Sequence, residues 1–186
     1  MKPFRLFALA ALLCVATVTA THAESNLGLR GIGGRLSFVN PSDVDGTLGL
    51  DVIADFGTLR PQLALEAVLD FWSSEEDFVV FAMDVRDIAL GGRLKYTFNV
   101  ANPRVRPYAA GGLALHFVHT EVPTIMVGGL PVPGSDDSET KLGLDLAGGI
   151  GYKTGRNIFA VGELRFRLLS DIPQVVLTGG LVYWFD

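Results

Sequence analysis

The sequence predicts an all-β fold, an eight-stranded antiparallel up-and-down transmembrane β-barrel. Three observations predict it. Apolar and non-apolar residues alternate with period 2 in about eight segments, each near the roughly 9–11 residues a tilted strand needs to cross a bilayer. The apolar face of these segments is nearly free of charge, whereas the other face carries both signs. An apolar leader marks export, and no later run is long and apolar enough for a spanning helix, which leaves closed strands as the way to satisfy a backbone in lipid.

The leader is residues 1–23. Lys2 and Arg5 form a basic start, Leu6 to Ala20 an apolar stretch, and Thr21-His22-Ala23 offers small residues at the −3 and −1 positions of a cleavage site. Cys14 is the single cysteine, but Leu13 stands where an acylated cysteine wants a small residue before it. The mature part, residues 24–186, is therefore expected to be one barrel domain without a disulfide. It keeps 13 basic residues (the 15 of the chain less Lys2 and Arg5) against 20 acidic ones, a net charge of −7. No basic patch or charge run exists to neutralise phosphates, which excludes a nucleic-acid partner.

The first strand is expected over Leu29–Val39, with Ile32, Leu36 and Phe38 on one face and Arg35 and Ser37 on the other. Residues Asn40 to Asp45 make a loop. The second, Thr47–Phe56, sets Leu48, Leu50, Val52, Ala54 and Phe56 outward and Asp51 and Asp55 inward, and Gly57–Arg60 reads as the turn after it. The third, Gln62–Trp72, opposes Leu63, Leu65, Leu69 and Phe71 to Glu66 and Asp70; Ser73–Asp77 tips a hairpin whose arms extend beyond the membrane. The fourth, Arg86–Phe98, sets Ile88, Leu90, Leu94, Tyr96 and Phe98 against Asp87, Arg93, Lys95 and Thr97.

After a turn over Asn99–Arg104, the fifth strand, Val105–Phe117, points Leu113, Leu115 and Phe117 outward and Arg106, Tyr108 and His116 inward. Residues Thr120–Thr140 read as the longest loop, with three prolines and the acidic run Asp136-Asp137-Ser138-Glu139. The sixth strand, Lys141–Tyr152, and the seventh, Ile158–Leu168, flank a tight turn at Thr154–Arg156; they face Asp145, Glu163, Arg165 and Arg167 inward. Aromatics near strand ends, among them Phe38, Phe56, Phe71, Trp72, Tyr96, Phe117, Tyr152 and Tyr183, suit interfacial girdles.

The last strand is the most informative. From Val175 onward, Leu177, Leu181, Tyr183 and Phe185 share a face against Thr178, Gly180, Val182 and Trp184. The pattern Thr178-x-Gly180-x-x-Tyr183-x-Phe185 resembles the C-terminal assembly signal of bacterial outer-membrane barrels, although Asp186 follows the final aromatic. Residues Arg106-Pro-Tyr-Ala-Ala-Gly-Gly-Leu113 resemble a stretch common in small barrels of that kind. Over nearly the whole mature chain the sequence is similar to the opacity-protein and OmpA-barrel type. The resemblance implies a monomer in the outer membrane, contact with outer-membrane lipids, and recognition of the last strand by the barrel-assembly machinery. It also implies closure of that strand against the first, and a structural or surface-interaction role.

An eight-stranded barrel is only wide enough for side chains to fill it, so its inward charges must pair. Folding about the turns puts Arg35 near Asp51, Glu66 near Arg93, and Asp145 near Arg165 as lumen ion pairs. Glycines inside the strands, such as Gly112, Gly149 and Gly180, are expected to make room for large lumen side chains; Gly31-x-Gly33-Gly34 is no phosphate loop, because no helix follows it.

Two other function classes set requirements of their own. An outer-membrane lipid-modifying enzyme would need His116 or His119, the only histidines outside the leader, beside a nucleophile or carboxylate such as Asp84 or Asp87 at the outer rim. No serine stands at a His-x-Ser spacing, and the two histidines match no metal-ligand pattern, so no catalytic residue, cofactor or metal is assigned. A soluble periplasmic barrel binding a small apolar ligand would need an apolar lumen. A surface ligand would engage the 120–140 region.

Overall fold

The computed structural model describes residues 26–42, 46–77, 82–127, 130–169 and 173–185. The expected leader and Asp186 lie outside them. Ten strands follow one another: β1 (Asn26–Pro41), β2 (Thr47–Arg60), β3 (Leu63–Asp77), β4 (Ala82–Thr97), β5 (Val105–Val122), β6 (Ile125–Val127), β7 (Leu130–Val132), β8 (Ser135–Lys153), β9 (Ile158–Leu168) and β10 (Gln174–Trp184). Eight of them close into one ring in the order β1-β10-β9-β8-β5-β4-β3-β2, and β6 and β7 form a separate two-stranded hairpin between β5 and β8. All neighbours in the ring are antiparallel, and β1 closes on β10 over eleven facing positions from Gly31–Trp184 to Pro41–Gln174.

Alternation does in the structure what it forecasts in the sequence. Leu36, Leu48 and Leu177 are 66%, 74% and 59% exposed on the outer wall, whereas Arg165, Asp87 and His116 are wholly buried. A continuous band of leucine, isoleucine and phenylalanine around the outside is far larger than the apolar patches of water-soluble monomers. Lipid is the solvent that such a wall fits, and the closed ring leaves no unpaired strand edge in it.

Several boundaries differ from the sequence expectation. The turn expected at Gly57–Arg60 lies at Pro61–Gln62: β2 runs through Gly57 with register shifts before and after Thr58. Gly57 (φ +84°) is a bulge residue, and its amide donates to the Asp55 carboxylate at 2.8 Å. Gln62 takes φ +77° directly after Pro61, the conformation of the third residue in a type II turn. The expected loop over 120–140 is mostly strand. β5 continues to Val122 and β8 begins at Ser135, held in register from Val118–Glu139 to Val122–Ser135. The β8 arm is polar on both faces in sequence and the β5 arm offers only Val118 and Val122, so too little apolar alternation remains to announce them. Trp72 does not belong to a lipid girdle: it shares parity with Glu66 and Asp70 and is buried inside.

One end of the barrel is made of short turns, the start of β1 and the end of β10. The other carries the long arms of β3–β4 and β5–β8. Inside are two apolar layers. Ile53, Val68 and Val182, joined by Val161 and Trp184, lie toward the turn end. Val39, Trp72, Val85 and Val176, joined by Val118, lie toward the arms. Along β1 the order from the turn end is Gly33 opposite Ile53, Arg35 opposite Asp51, Ser37, then Val39, so Arg35 and Asp51 lie between the layers, while Asp55, Glu66, Arg93 and Lys95 stand on the turn side of Ile53 and Val68.

Candidate functional site

The middle of the lumen is a single network of ionised side chains. Arg35 donates from Nε and Nη2 to the two Asp51 oxygens, each at 2.8 Å, and from Nη1 to Glu163 at 3.1 Å. Arg93 donates to Glu66 at 2.7 Å and to Glu163 at 2.8 Å. Arg165 reaches Asp51 at 2.7 Å, Glu163 at 2.9 Å and Asp70 at 2.9 Å. Arg167 donates to Asp145 at 3.0 Å and also to Asp70. Lys95 bonds Glu66 and stands 3.4 Å from Asp55, and the Tyr108 hydroxyl donates to Glu163 at 2.9 Å. Each member occupies an inward position of its strand, and each arginine offers the planar fork that carboxylates match.

Of the six residues expected in lumen pairs, Arg35 faces Asp51 and Glu66 faces Arg93 in the strand register. Asp145 is different: the register sets it opposite Arg167, which takes its hydrogen bonds, and Arg165 stands 3.8 Å away. Counting outward from the turn thus finds an Asp145–Arg165 ion pair that is present but longer, and overlooks Arg167, the facing residue that makes the hydrogen bonds. It also misses the hubs. Glu163 gathers Arg35, Arg93, Arg165 and Tyr108, and Asp70 gathers Arg165 and Arg167, mostly from strands not adjacent to their own. The sequence signal for Glu163 is its shared parity with Arg165 and Arg167, but only closure of the ring brings Arg35 and Arg93 to it.

The glycines act by absence. A Cβ on Gly149 would lie 2.5 Å from the Tyr108 ring, and one on Gly180 would lie 2.2 Å from the Gly34 carbonyl and 2.8 Å from Arg35 Cγ. Arg35 and Tyr108 therefore occupy volume that neighbouring side chains vacate.

The expected assembly-signal residues divide between the two faces of β10. Thr178 is buried, and Gly180 faces the lumen opposite Arg35. Tyr183 and Phe185 lie on the outer wall in an edge-to-face contact, ring centres 5.7 Å apart.

The histidines do not assemble. His116 is buried and its Nδ1 lies 2.8 Å from an Asp87 oxygen that also accepts from the Trp72 indole at 3.2 Å. His119, three residues on, has the opposite parity and stands outside, 2.9 Å from the Ser138 hydroxyl and 3.5 Å from Asp136, both at the same ring nitrogen. Asp84 pairs with Arg86 at 2.7 Å. Ser138 escaped the sequence search because it comes from across the β5–β8 register. Among the described residues no group of three or more histidine, cysteine, aspartate and glutamate side chains is arranged to hold a metal ion. The apolar lumen that a soluble carrier needs is also missing, since charge fills the centre.

On the outer face of the arms the register aligns four acids side by side across four strands: Glu75 opposite Asp84, Asp84 opposite Glu121, and Glu121 opposite Asp136.

The family model described as an outer membrane protein β-barrel domain matches residues 7–185. A major outer membrane protein from Thermus thermophilus superposes with a TM-score of 0.62 at 15% identity, over 85% of this chain and 100% of that one. The Neisserial surface protein A superposes with a TM-score of 0.61 at 16% identity, over 83% and 96%. The attachment invasion locus protein Ail of Yersinia pestis gives 0.53 at 15%, over 84% and 97%. At such identities these likenesses concern the fold. No curated protein matches the chain.

Proposed function

Since the chain belongs to the outer membrane protein β-barrel domain family and is an integral barrel of the bacterial outer membrane, we propose that it has a structural and surface-interaction role, with a filled polar lumen and no open pore. The observation that carries this reading is the network centred on Glu163, which spans the lumen from β1 to β4 and β9 through side chains alone. Arg35–Asp51, Glu66–Arg93 and the Asp145–Arg165–Arg167 group hold the wall together and plug it. Among the described residues the buried histidine has a carboxylate and, through it, an indole as hydrogen-bonding company and no hydroxyl, which supports a non-enzymatic role.

Biogenesis follows from the same reading. Residues 1–23 direct export and are removed, leaving 24–186. The barrel-assembly machinery reads β10, with Tyr183 and Phe185 as its lipid-side handle and Thr178 and Gly180 as the lumen side that β1 must meet. The product is a monomer whose leucine-rich wall contacts outer-membrane lipids. Short turns face the periplasm and the long arms face outward, as in barrels of this kind.

The arms carry the surface role. The acids aligned from Glu75 to Asp136 favour a basic or cation-bridged ligand through the 120–140 region. Ail of Yersinia pestis has been solved with the heparin analogue sucrose octasulfate; the acidic arms of this chain argue for a partner of the opposite charge.

The test of the filled lumen is liposome swelling in arabinose with the purified, folded protein. Swelling no faster than in protein-free vesicles is the expected result. Swelling that scales with protein content would overturn the filled lumen.

A further inference from the structure

Below the Ile53–Val68–Val182 layer the turn end opens into a cavity of about 410 Å³. Its wall combines aromatic and aliphatic surface with four charged residues, Glu66, Arg93, Lys95 and Arg106. Three of these four are committed to one another or to the network. Arg93 bonds Glu66 and Glu163, and Lys95 bonds Glu66 and Asp55.

Arg106 is different. Its guanidinium stacks on Phe159, 4.5 Å from the ring centre, and it has no carboxylate partner among the described residues. Stacking fixes the plane of the fork and leaves its N–H edge directed away from the ring. Phe159 is itself held edge-to-face by Trp184, whose ring lies 5.5 Å from the Lys95 ammonium. A preoriented fork, without a carboxylate partner among the described residues, thus stands exposed at the mouth of a cavity whose wall includes Ile53, Val161, Val182 and Trp184 beside polar residues such as Thr58, Gln62 and Asn102.

We propose that this cavity binds a small free carboxylic acid with an apolar body, its carboxylate held by Arg106 and its body against Phe159, Trp184 and Val182. One cation without a carboxylate partner among the described residues fits one negative charge. A phosphate monoester would bring a second charge that only cations already engaged with Glu66 could meet. The volume suits a small organic ligand, and a few polar groups in a mainly apolar wall are what such sites have. The chemistry of recognition does not depend on the orientation proposed above; only the side of entry, the periplasm, rests on it.

The chain has two tryptophans, Trp184 in the cavity wall and Trp72 beyond the charge network. Heavy-atom quenching by 6-bromohexanoate therefore reads the cavity in the full barrel, folded in lipid nanodiscs. The expected result is saturable quenching by 6-bromohexanoate and only linear quenching by 6-bromohexanol, which enters lipid more readily. Arg106→Gln should raise the half-saturating concentration at least tenfold, with folding checked by the mobility shift between boiled and unboiled samples. If that variant does not fold, Arg106→Lys decides, because it keeps the charge and loses the planar fork: a several-fold weakening is expected. Quenching by the acid no different from the alcohol, or an unchanged curve in the folded Arg106 variant, would overturn the proposal. So would displacement by hexyl phosphate at lower concentration than by hexanoate. A single-charge site on the turn side remains distinct from the swelling test, since neither outcome there changes the quenching expected here.

Discussion

Arg35 and Glu163 are 128 positions apart in the chain, and their side chains meet at 3.1 Å inside the barrel. No local rule brings them together. The contact exists only when β1 has closed on β10 and β9 stands next in the ring. Glu163 therefore reports on the complete barrel rather than on any one hairpin.

Glu163→Gln should destabilise the protein strongly. The variant leaves Arg35, Arg93 and Arg165 in a buried space without the carboxylate they share, and breaking a buried pair in this way costs roughly 3–5 kcal/mol. Urea unfolding in lipid vesicles checks it. Arg86→Ala, which removes an exposed partner of Asp84 on the arms, should leave the midpoint where it is.

Gly180→Val should impair closure. Even a Cβ at this position meets the Gly34 carbonyl at 2.2 Å and the Arg35 side chain at 2.8 Å, so β1 and β10 cannot keep their spacing. The expected outcome is loss of the fast-migrating unboiled band on a gel. Gly148→Ala, where a Cβ meets nothing within 4 Å, should retain it.

Cysteines at Ser37 and Thr178 should cross-link spontaneously in the folded barrel. The two positions face each other in the β1–β10 register, and facing positions on antiparallel strands fall within disulfide reach. Residues 24–186 hold no other thiol to compete. Mass spectrometry of the oxidised product gives the bond directly, and failure to form it in folded protein would contradict the register.

Glu121→Gln should stabilise the arms at low salt. Glu121 stands between Asp84 and Asp136, and like charges placed directly opposite work against pairing. The gain is at most roughly 0.5 kcal/mol and should fade as salt screens the row. Hydrogen exchange of the β5 and β8 arm amides, compared at low and high ionic strength, measures it.

How far the sequence carries depends on what each segment packs against. Where one face meets lipid and the other the lumen, alternation is strict: the bounds expected for the seventh strand coincide with those of β9, Ile158–Leu168. In the arms the outer face turns polar and the inner one keeps only Val118 and Val122 on β5, so the alternation fades, and the arms of β5 and β8 read as loop although their backbones stay paired to Val122 and Ser135. Trp72 shows a second limit. Composition suggests a girdle aromatic, and only parity with Asp70 reveals that its ring fills the lumen and its indole serves Asp87. In the site, hairpin counting names neighbours and is silent on residues that meet through the open space of the ring. Arg167 faces Asp145, with Arg165 at the longer distance, because the β8–β9 register is set by the four residues from Thr154 to Asn157, which close the turn through two backbone bonds and the Thr154 hydroxyl to the Ile158 carbonyl.

The pairing of β1 with β10 makes the barrel a test of its own synthesis. A chain released before Gln174 lacks all eleven partners that β1 requires and leaves β9 with one bare edge. Each of those edges would expose unsatisfied peptide groups in hydrocarbon, which no rearrangement of the remaining strands relieves at this length. A product that ends before β10 therefore cannot close this ring.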